Sequence, residues 1–350
     1  MTSEDWASKP EVDDLPGLNL ESLRKYLENI DPVLVEGQLQ GEIIAGGRSN
    51  LTYKITDGLH QWVVRRPPLG HVLATAHDMG REYRVMTALT SSTVPVPRTL
   101  SLCEADDVLG APFYVMSWSE GATYRWQTEL EPLGSDRVHR ISTNLVATLV
   151  DLHAVEPSSV GLSDFGRPNG YLERQVRTWG RQLDSSRSRD LAGVDELRRR
   201  LGDADVPSSD SGIVHGDFRL DNVLVGDHDE ITTVLDWEMA TLGDPLIDVA
   251  LMVAYDQLAR TPEGDGIANA SLATGFLSAG EVLSLYSDKS GRDLSNIGFH
   301  LGLSFFKLAV ILEGIHFRYA NGQTVGDGFD RAGDLVIPAV AAGLKSIKEQ

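Results

Sequence analysis

Cysteine is almost absent: Cys103 is the only one in 350 residues. No disulfide framework or multi-cysteine zinc site can form within one chain, a reducing compartment is implied, and Cys103 is expected to be buried and inert. The opening MTSEDWASKPEVDDLPG has no apolar h-region and does not read as a signal peptide. No uninterrupted apolar run approaches the roughly 18 residues needed to cross a bilayer. A cytoplasmic chain with no membrane partner is therefore expected. Basic residues are scarce as well, with Lys and Arg totalling 31 against 51 Asp and Glu, a net charge of −20. Nucleic acid as a partner is disfavoured, because phosphate neutralisation needs clustered Lys and Arg. Also missing are a G-x-S-x-G elbow, a Walker A loop, His/Cys metal spacings, internal repeats and low-complexity tracts, which argues against an unrelated hydrolase.

What is present describes a globular chain with 41% hydrophobic residues, long enough for one large domain or two lobes. The charge is uneven. Residues 1–39 carry three basic and nine acidic residues, 40–118 carry seven of each, and 119–350 carry 21 basic and 35 acidic. The acidic remainder either draws in a cationic substrate or simply maintains solubility.

The segments 1–34, 35–118 and 119–350 read as an acidic leader with one helix, a small β-rich lobe, and a larger helical lobe. In the leader, LNLESLRKYLENI spaces Leu20, Leu23, Leu27 and Ile30 for a helix with Asn19 as N-cap. GEIIAGG, LTYKIT and QWVVRRPP read as short strands broken by GGRSN and DGLH, AHDMGREYRVMTALT as a helix, and PFYVMSW as a buried strand leading into a hinge near 113–120. Helical patterns then dominate: DRVHRISTNLVATLVDLHAV, GYLERQVRTWGRQL, PLIDVALMVAYDQLA and LGLSFFKLAVILEGIHFRYA.

One β interruption stands in that helical region, the stretch IVHGDFRLDNVLV followed by GDHDEITTVLDW. Asn222 should open its first strand and Asp236 close its second, so antiparallel pairing brings residues fourteen apart in sequence to one rim of a ribbon. With Asp217 on the incoming loop, three hard oxygen donors converge. That set suits Mg²⁺, which keeps waters or substrate phosphates in its remaining positions. A polar turn with Asx caps would explain a lone D-x-x-x-x-N, but not a second aspartate after a matched apolar strand. Upstream, the Gly46, Gly47, Ser49 and Asn50 turn offers backbone N–H groups to a phosphate tail. Arg65, ending WVV, offers a fixed positive charge, and Glu82 in the following helix is placed to orient it.

H-G-D-x-x-x-x-N, an apolar strand and L-D-W, in order after a Gly-rich hairpin, a basic third strand and a helix glutamate, resemble the aminoglycoside phosphotransferase and choline kinase group, over about residues 40 to 320. VVRRPP, REYRVM, FGRPNGYLERQVRTW, LDWEMATLGDPLIDVA and FKLAVILEGI bear a closer resemblance to the kinase-like domains associated with acyl-CoA dehydrogenases. The resemblance implies an α+β, bilobal protein-kinase-like fold and a phosphotransferase using ATP or another nucleoside triphosphate with Mg²⁺. On it, Asp217 is the catalytic base and Asn222 and Asp236 are the metal ligands. Arg219 would stabilise the moving phosphoryl group, and His215 would orient the loop. Asp248 would anchor the loop's backbone, and Met116, Ser117 and Trp118 would meet the adenine.

Arg65 stands where the family carries a lysine and is not its geometric equivalent; Lys54 is a weaker substitute. Asp164-Phe165-Gly166 spells a kinase metal motif but precedes the catalytic loop and follows no apolar strand, so it is rejected as a metal site. The acceptor is expected to be a small-molecule hydroxyl, either a hydroxyacyl-CoA or related hydroxy acid, or a cationic aminoglycoside or amino alcohol. Trp237, Glu238, Glu313, His316 and Arg318 are the candidate pocket residues. A non-catalytic nucleotide-binding module is the remaining alternative, opposed by the complete Asp217, Asn222 and Asp236 set.

Overall fold

The computed structural model describes residues 14–44, 50–69, 78–206, 210–323 and 329–347. The chain divides into two compact units, the first running to Thr90 and resuming over Pro97–Ser119, the second holding Ser91–Val96 and everything from Glu120.

The first unit opens with a two-residue ribbon, β1 (Asp14–Leu15) with β2 (Leu18–Asn19), and helix α1 (Leu20–Ile30). The Asn19 side chain caps α1 by accepting from the Ser22 N–H at 2.7 Å, as its position before the apolar repeat predicts. An antiparallel sheet follows, in the order β3 (Gln40–Ile43), β4 (Leu51–Thr56), β5 (Gln61–Arg66), β7 (Phe113–Ser117), β6 (Thr99–Cys103), with α2 (Met79–Leu89) between β5 and β6 in the chain. Because side chains alternate along a strand, one sheet face collects Tyr53, Ile55, Trp62, Val64, Phe113 and Val115. These pack on Leu20, Leu23 and Leu27 of α1. The leader helix is thus part of the first unit's core, and Cys103 lies buried in the same cluster. Burial raises the Cys103 thiol pKa. The alternation also separates the two arginines of VVRRPP. Arg66 is buried and donates to the carbonyls of Gly17 and Leu109, while Arg65 faces Glu82 on α2.

The second unit contains α3 (Gln127–Leu130), α4 (Ser135–Ala154), α5 (Tyr171–Ser186), α6 (Val194–Asp203), β8 (Gly212–Val214), β9 (Val223–Val225), β10 (Ile231–Val234), β11 (Thr241–Gly243), α7 (Leu246–Ala259), α8 (Ala279–Ser290), α9 (Ile297–Ala320) and α10 (Val336–Ser346). Helix α9 is long and apolar enough to cross a bilayer, yet 72% of its most apolar window is buried inside the protein. It is a central core helix, sharing a cluster with residues of α5, α6, α7 and α10. The β interruption is larger than the sequence suggests. Besides the β9–β10 hairpin, β8 pairs antiparallel with β11, a second ribbon enclosing the first. Three-residue TLG carries no alternation by which a strand could be recognised. The β9–β10 turn is fixed to α4 through Asp229, a buried residue with φ +68° whose carboxylate takes Arg137 and Arg140, both at 2.7 Å.

Leu23→Ala should cost about 2–4 kcal/mol in chemical denaturation of the intact chain. A loss under about 0.5 kcal/mol, the size typical of surface changes, would show that α1 is not part of this core.

Candidate active site

In the second unit, the nested ribbons bring two loops together, 215–222 after β8 and 235–240 after β10. Val223 pairs with Val234, and the Leu235 N–H donates to the Asn222 carbonyl at 2.8 Å. Asn222 thus directly precedes β9 and Asp236 lies two residues beyond β10, so the two meet at one rim as expected, just outside the strands themselves. Asp236 adopts φ +63°, a left-handed conformation that costs a non-glycine residue energy and is kept where the surroundings impose it.

The 215–222 loop is held from beneath. The buried Asp248 carboxylate, in the first turn of α7, accepts the His215 N–H at 2.7 Å and the Gly216 N–H at 2.8 Å. His153 on α4 joins the same carboxylate through Nε2 at 3.2 Å, and its Nδ1 meets the Tyr286 hydroxyl at 2.8 Å. Burial lowers the His153 pKa against the opposing pull of Asp248, and Nε2–H donates to that carboxylate, which can only accept. Burial pushes the Asp248 carboxyl up, but His153 and the loop N–H groups outweigh it and hold the pKa below the usual range. His215 is fully buried. Its Nδ1 accepts the Asp217 N–H at 3.2 Å and its Nε2 donates to the Leu235 carbonyl at 2.9 Å, so the ring spans both loops. Gly216 has φ +87°, and a Cβ there would stand 2.8 Å from that of Met239, so only glycine fits.

The Asn222 amide nitrogen donates to both the backbone carbonyl and the Oδ2 of Asp217, at 2.8 and 2.9 Å. Its own oxygen is thereby turned away from Asp217. The oxygens of Asn222 and Asp236 are hard donors of the type Mg²⁺ takes. Among the described residues no group of three or more His, Cys, Asp or Glu could hold a metal ion. Two such oxygens would leave most of the coordination of an ion of this type to waters and phosphate.

Arg219 is half-buried on the same loop. Its guanidinium meets Asp221 at 2.5 Å, approaches Asp217 Oδ2 at 3.7 Å and stacks 4.4 Å from the Tyr255 ring centroid. Burial works against its charge, but Tyr255 and the carboxylates of Asp217, Asp221 and Asp236 outweigh that and raise its pKa. Its buried Nε has no hydrogen-bond partner, and the side chain lines the wall of a narrow apolar cavity of about 50 Å³. Burial also raises the pKa of Asp221 and of Tyr255.

Other residues of the site stand at positions that the motifs do not single out. Lys307, buried in α9, donates through Nζ to the Gly216 carbonyl at 2.6 Å and lies 5.6 Å from the Trp179 ring centroid. Burial lowers its pKa. A lysine inside the apolar run LGLSFFKLAVIL is the one signal in the sequence that points to it. Tyr255, Asp221 and Arg125, on the cavity wall, carry no such signal.

Two expected pocket residues are corrected. Trp237 is 1% exposed, donates to the Val234 carbonyl and packs 4.7 Å from the His215 ring, so it is part of the loop's support. Glu313 is fully buried, its oxygens taken by the Ser188 N–H and hydroxyl and by Arg189. Of the others, Glu238 and Arg318 are exposed and His316 is half-buried, and none lines the cavity beside Arg219. Asp164 is exposed and Phe165 buried, in a loop before α5.

In the first unit, Gly46, Gly47 and Ser49 lie outside the described residues. Glu82 is 1% exposed and meets Arg65 at 3.3 Å, the Asn50 amide at 3.2 Å and the Tyr114 hydroxyl at 2.8 Å. A carboxylate with this many partners holds Arg65 in place on β5. Lys54 instead lies over the Trp118 ring at 4.2 Å. In the expected hinge Met116 is buried, and the Ser117 and Trp118 N–H groups already donate to the Arg98 and Gln61 carbonyls. Those two donors are not available to a base.

The profile of the APH phosphotransferase enzyme family matches residues 40–282. The chain is 33% identical over 319 residues to acyl-CoA dehydrogenase family member 10 of Mus musculus, covering 90% of this chain and 30% of that protein. It is 33% identical to family member 11 of Homo sapiens, covering 86% of this chain and 39% of that protein. The chain thus spans only about a third of the length of these curated relatives. A solved structure from Ralstonia eutropha, described as a candidate aminoglycoside phosphotransferase, superposes with a TM-score of 0.82 at 29% identity, covering 94% of this chain and 99% of that one. Aminoglycoside phosphotransferase APH(4)-Ia, solved with AMP-PNP and hygromycin B, shares the fold at a TM-score of 0.60 and 17% identity, covering 94% and 99% of the two chains. The chain belongs to the phosphotransferase enzyme family, with a protein-kinase-like fold, a sheet-based first unit and a helical second unit.

Asp248→Ala leaves two buried N–H groups and His153 without their acceptor. It should cost about 3–5 kcal/mol, and hydrogen exchange at His215 and Gly216 should quicken more than at α9 core amides. Unchanged exchange at those two amides would contradict the anchoring role.

Proposed function

We propose that the chain transfers the γ-phosphoryl group of ATP to a hydroxyl of a small acyl molecule, a hydroxyacyl-CoA or related hydroxy acid, with Mg²⁺. The observation that carries the reaction is the Asp217 carboxylate, held by Asn222 on a loop whose backbone Asp248, His215 and Lys307 fix from three sides. Asp217 accepts the proton of the attacking hydroxyl, and a base held in one orientation loses little entropy on reaching that geometry. Asn222 and Asp236 would hold Mg²⁺, which when bound offsets negative charge on the phosphates. In the first unit Arg65, oriented by Glu82, grips phosphate oxygens; arginine keeps its charge there and offers paired donors. Arg219 and His215 act as positioning residues.

The acyl acceptor is supported by the cavity beside Arg219. Leu145, Met252, Val253 and Phe276 give it an apolar wall. Its two carboxylates are each matched, Asp221 by Arg219 at 2.5 Å and Asp256 by Arg260 at 2.8 Å. Arg125 on the same wall has a buried Nε with no hydrogen-bond partner. An apolar wall with matched acids and an unmatched Arg125 Nε–H suits a small apolar group beside an oxygen acceptor better than a polycationic sugar. The chain's net charge of −20 is the observation favouring the aminoglycoside or amino-alcohol reading. The relatives named acyl-CoA dehydrogenases support a functional link to oxidation of acyl thioesters.

Asp217→Asn should reduce phosphoryl transfer by a factor of at least about 100, in the range attributed to general bases, while nucleotide still binds. Turnover like the wild type would overturn the base assignment. Arg125→Gln should raise KM for a hydroxyacyl acceptor about tenfold, the equivalent of about 1.4 kcal/mol, with kcat little changed. An unaltered KM would remove the support for an anionic acceptor.

A further inference from the structure

The peptide group between Gly216 and Asp217 is held at both of its polar ends. Its carbonyl accepts from Lys307 Nζ at 2.6 Å, and its N–H donates to His215 Nδ1 at 3.2 Å. In a planar trans peptide these two groups point in opposite directions, so the two bonds together fix the rotation of the plane. The plane needs that control, because Gly216, at φ +87° and without a side chain, hinders rotation less than any other residue type. The residue carried by the plane is Asp217, whose carbonyl and Oδ2 both accept from the Asn222 amide. A turn of this one peptide therefore displaces the carboxylate and the Asn222 side chain together.

The two bonds differ in origin. His215 belongs to the same loop and moves with it, whereas Lys307 comes from the middle of α9, 91 residues along the chain from Gly216. Lys307 is buried between Phe306 and Leu308 in the central core helix. Among the described residues the Gly216 carbonyl is the one oxygen its ammonium meets. Its other neighbours are soft, the Met239 sulfur at 4.0 Å and the Trp179 ring at 5.6 Å. Burial lowers its pKa, the carboxylates of Asp217 and Asp248 oppose that, and Arg219 adds to it. An apolar side chain would fill the same space without taking a charge out of water. What the lysine adds is a charge-assisted hydrogen bond, roughly twice as strong as a neutral one, and that bond goes to the peptide that aims Asp217.

We propose that Lys307 is a positioning residue for phosphoryl transfer, setting the plane of the Gly216–Asp217 peptide and through it the direction of the Asp217 carboxylate. The inference rests on the reading of Asp217 as the base. Its division of labour with Asp248 is specific. Asp248 holds the His215 and Gly216 N–H groups and so anchors the loop, while Lys307 holds the next peptide and so orients the residue that the loop presents. Removing Lys307 therefore leaves the loop anchored and its base misaimed.

The test is Lys307→Met in the intact chain, which fills nearly the same space and deletes the donor. With ATP, Mg²⁺ and a hydroxyacyl-CoA, kcat should fall at least about tenfold, roughly 1.4 kcal/mol. KM for ATP should change less than about twofold, because the lost interaction acts in the transition state. Hydrogen exchange needs no acceptor and separates this inference from the base assignment. The Asp217 amide should exchange at least about tenfold faster, while the His215 and Gly216 amides, held by Asp248, stay within about twofold of the wild type. Lys307→Gln, whose shorter side chain withdraws the donor, should give the same pattern and serves if the methionine variant does not fold. Wild-type kcat in a folded variant, unchanged exchange at Asp217, or equal loosening of all three amides overturns the proposal. If Asp217→Asn turns over like the wild type, the base reading falls and the exchange pattern alone decides whether Lys307 sets the peptide.

Discussion

One buried carboxylate organises the second unit. Asp248 has no exposed surface, and an unmatched charge in such a place would cost several kcal/mol. It is tolerated because two backbone N–H groups of the catalytic loop and the His153 ring converge on its two oxygens. The interaction works in both directions: the loop satisfies the carboxylate, and the carboxylate gives the loop one conformation. From there the constraint spreads outward. Gly216 is held in a left-handed conformation that Met239 restricts to glycine, His215 bridges to Leu235, and Asp236 follows one residue later. Lys307 completes the arrangement from α9 by taking the Gly216 carbonyl, so both polar groups of that residue's backbone are matched inside an apolar core.

Charge in this protein is arranged locally rather than expressed in its total. A chain of net charge −20 contains a candidate acceptor cavity in which each acidic residue is matched by an arginine. Asp229, which fixes the β9–β10 turn, is similarly shared between Arg137 and Arg140. The excess acidity is therefore a poor guide to the substrate, because screening weakens distant charges while pairing decides the local field. In the first unit the same logic holds Arg65 beside the buried Glu82, which also takes the Asn50 amide and the Tyr114 hydroxyl.

Features fixed by short-range rules are legible in the sequence. The Asn19 cap, the meeting of Asn222 with the Asp236 loop across two short strands, and the Arg65–Glu82 pair each follow from spacing and strand alternation. Features set by long-range packing are not. Trp237 follows Asp236 directly and reads as a pocket residue, but the turn at Asp236 sends its ring under His215. Glu313 reads as a pocket residue, yet α9 is buried along most of its length, and an arginine 124 residues earlier pairs with it. Arg219 keeps its expected neighbourhood, but its contacts with Asp221 and Tyr255 are not encoded in the motif's spacing. Lys307 and His153 serve a loop distant from them in sequence, and no local pattern encodes that.

The proposal on which the functional reading stands is that this chain moves phosphate onto an acyl hydroxyl. The deciding measurement is phosphorus NMR of the purified protein with ATP and Mg²⁺, run across hydroxyacyl-CoAs, aminoglycosides and choline-like amino alcohols. A new phosphomonoester resonance should grow in step with ADP for a hydroxyacyl acceptor, with none for the cationic ones. Transfer only to a cationic acceptor, or no ADP above the acceptor-free control with any of them, would contradict it.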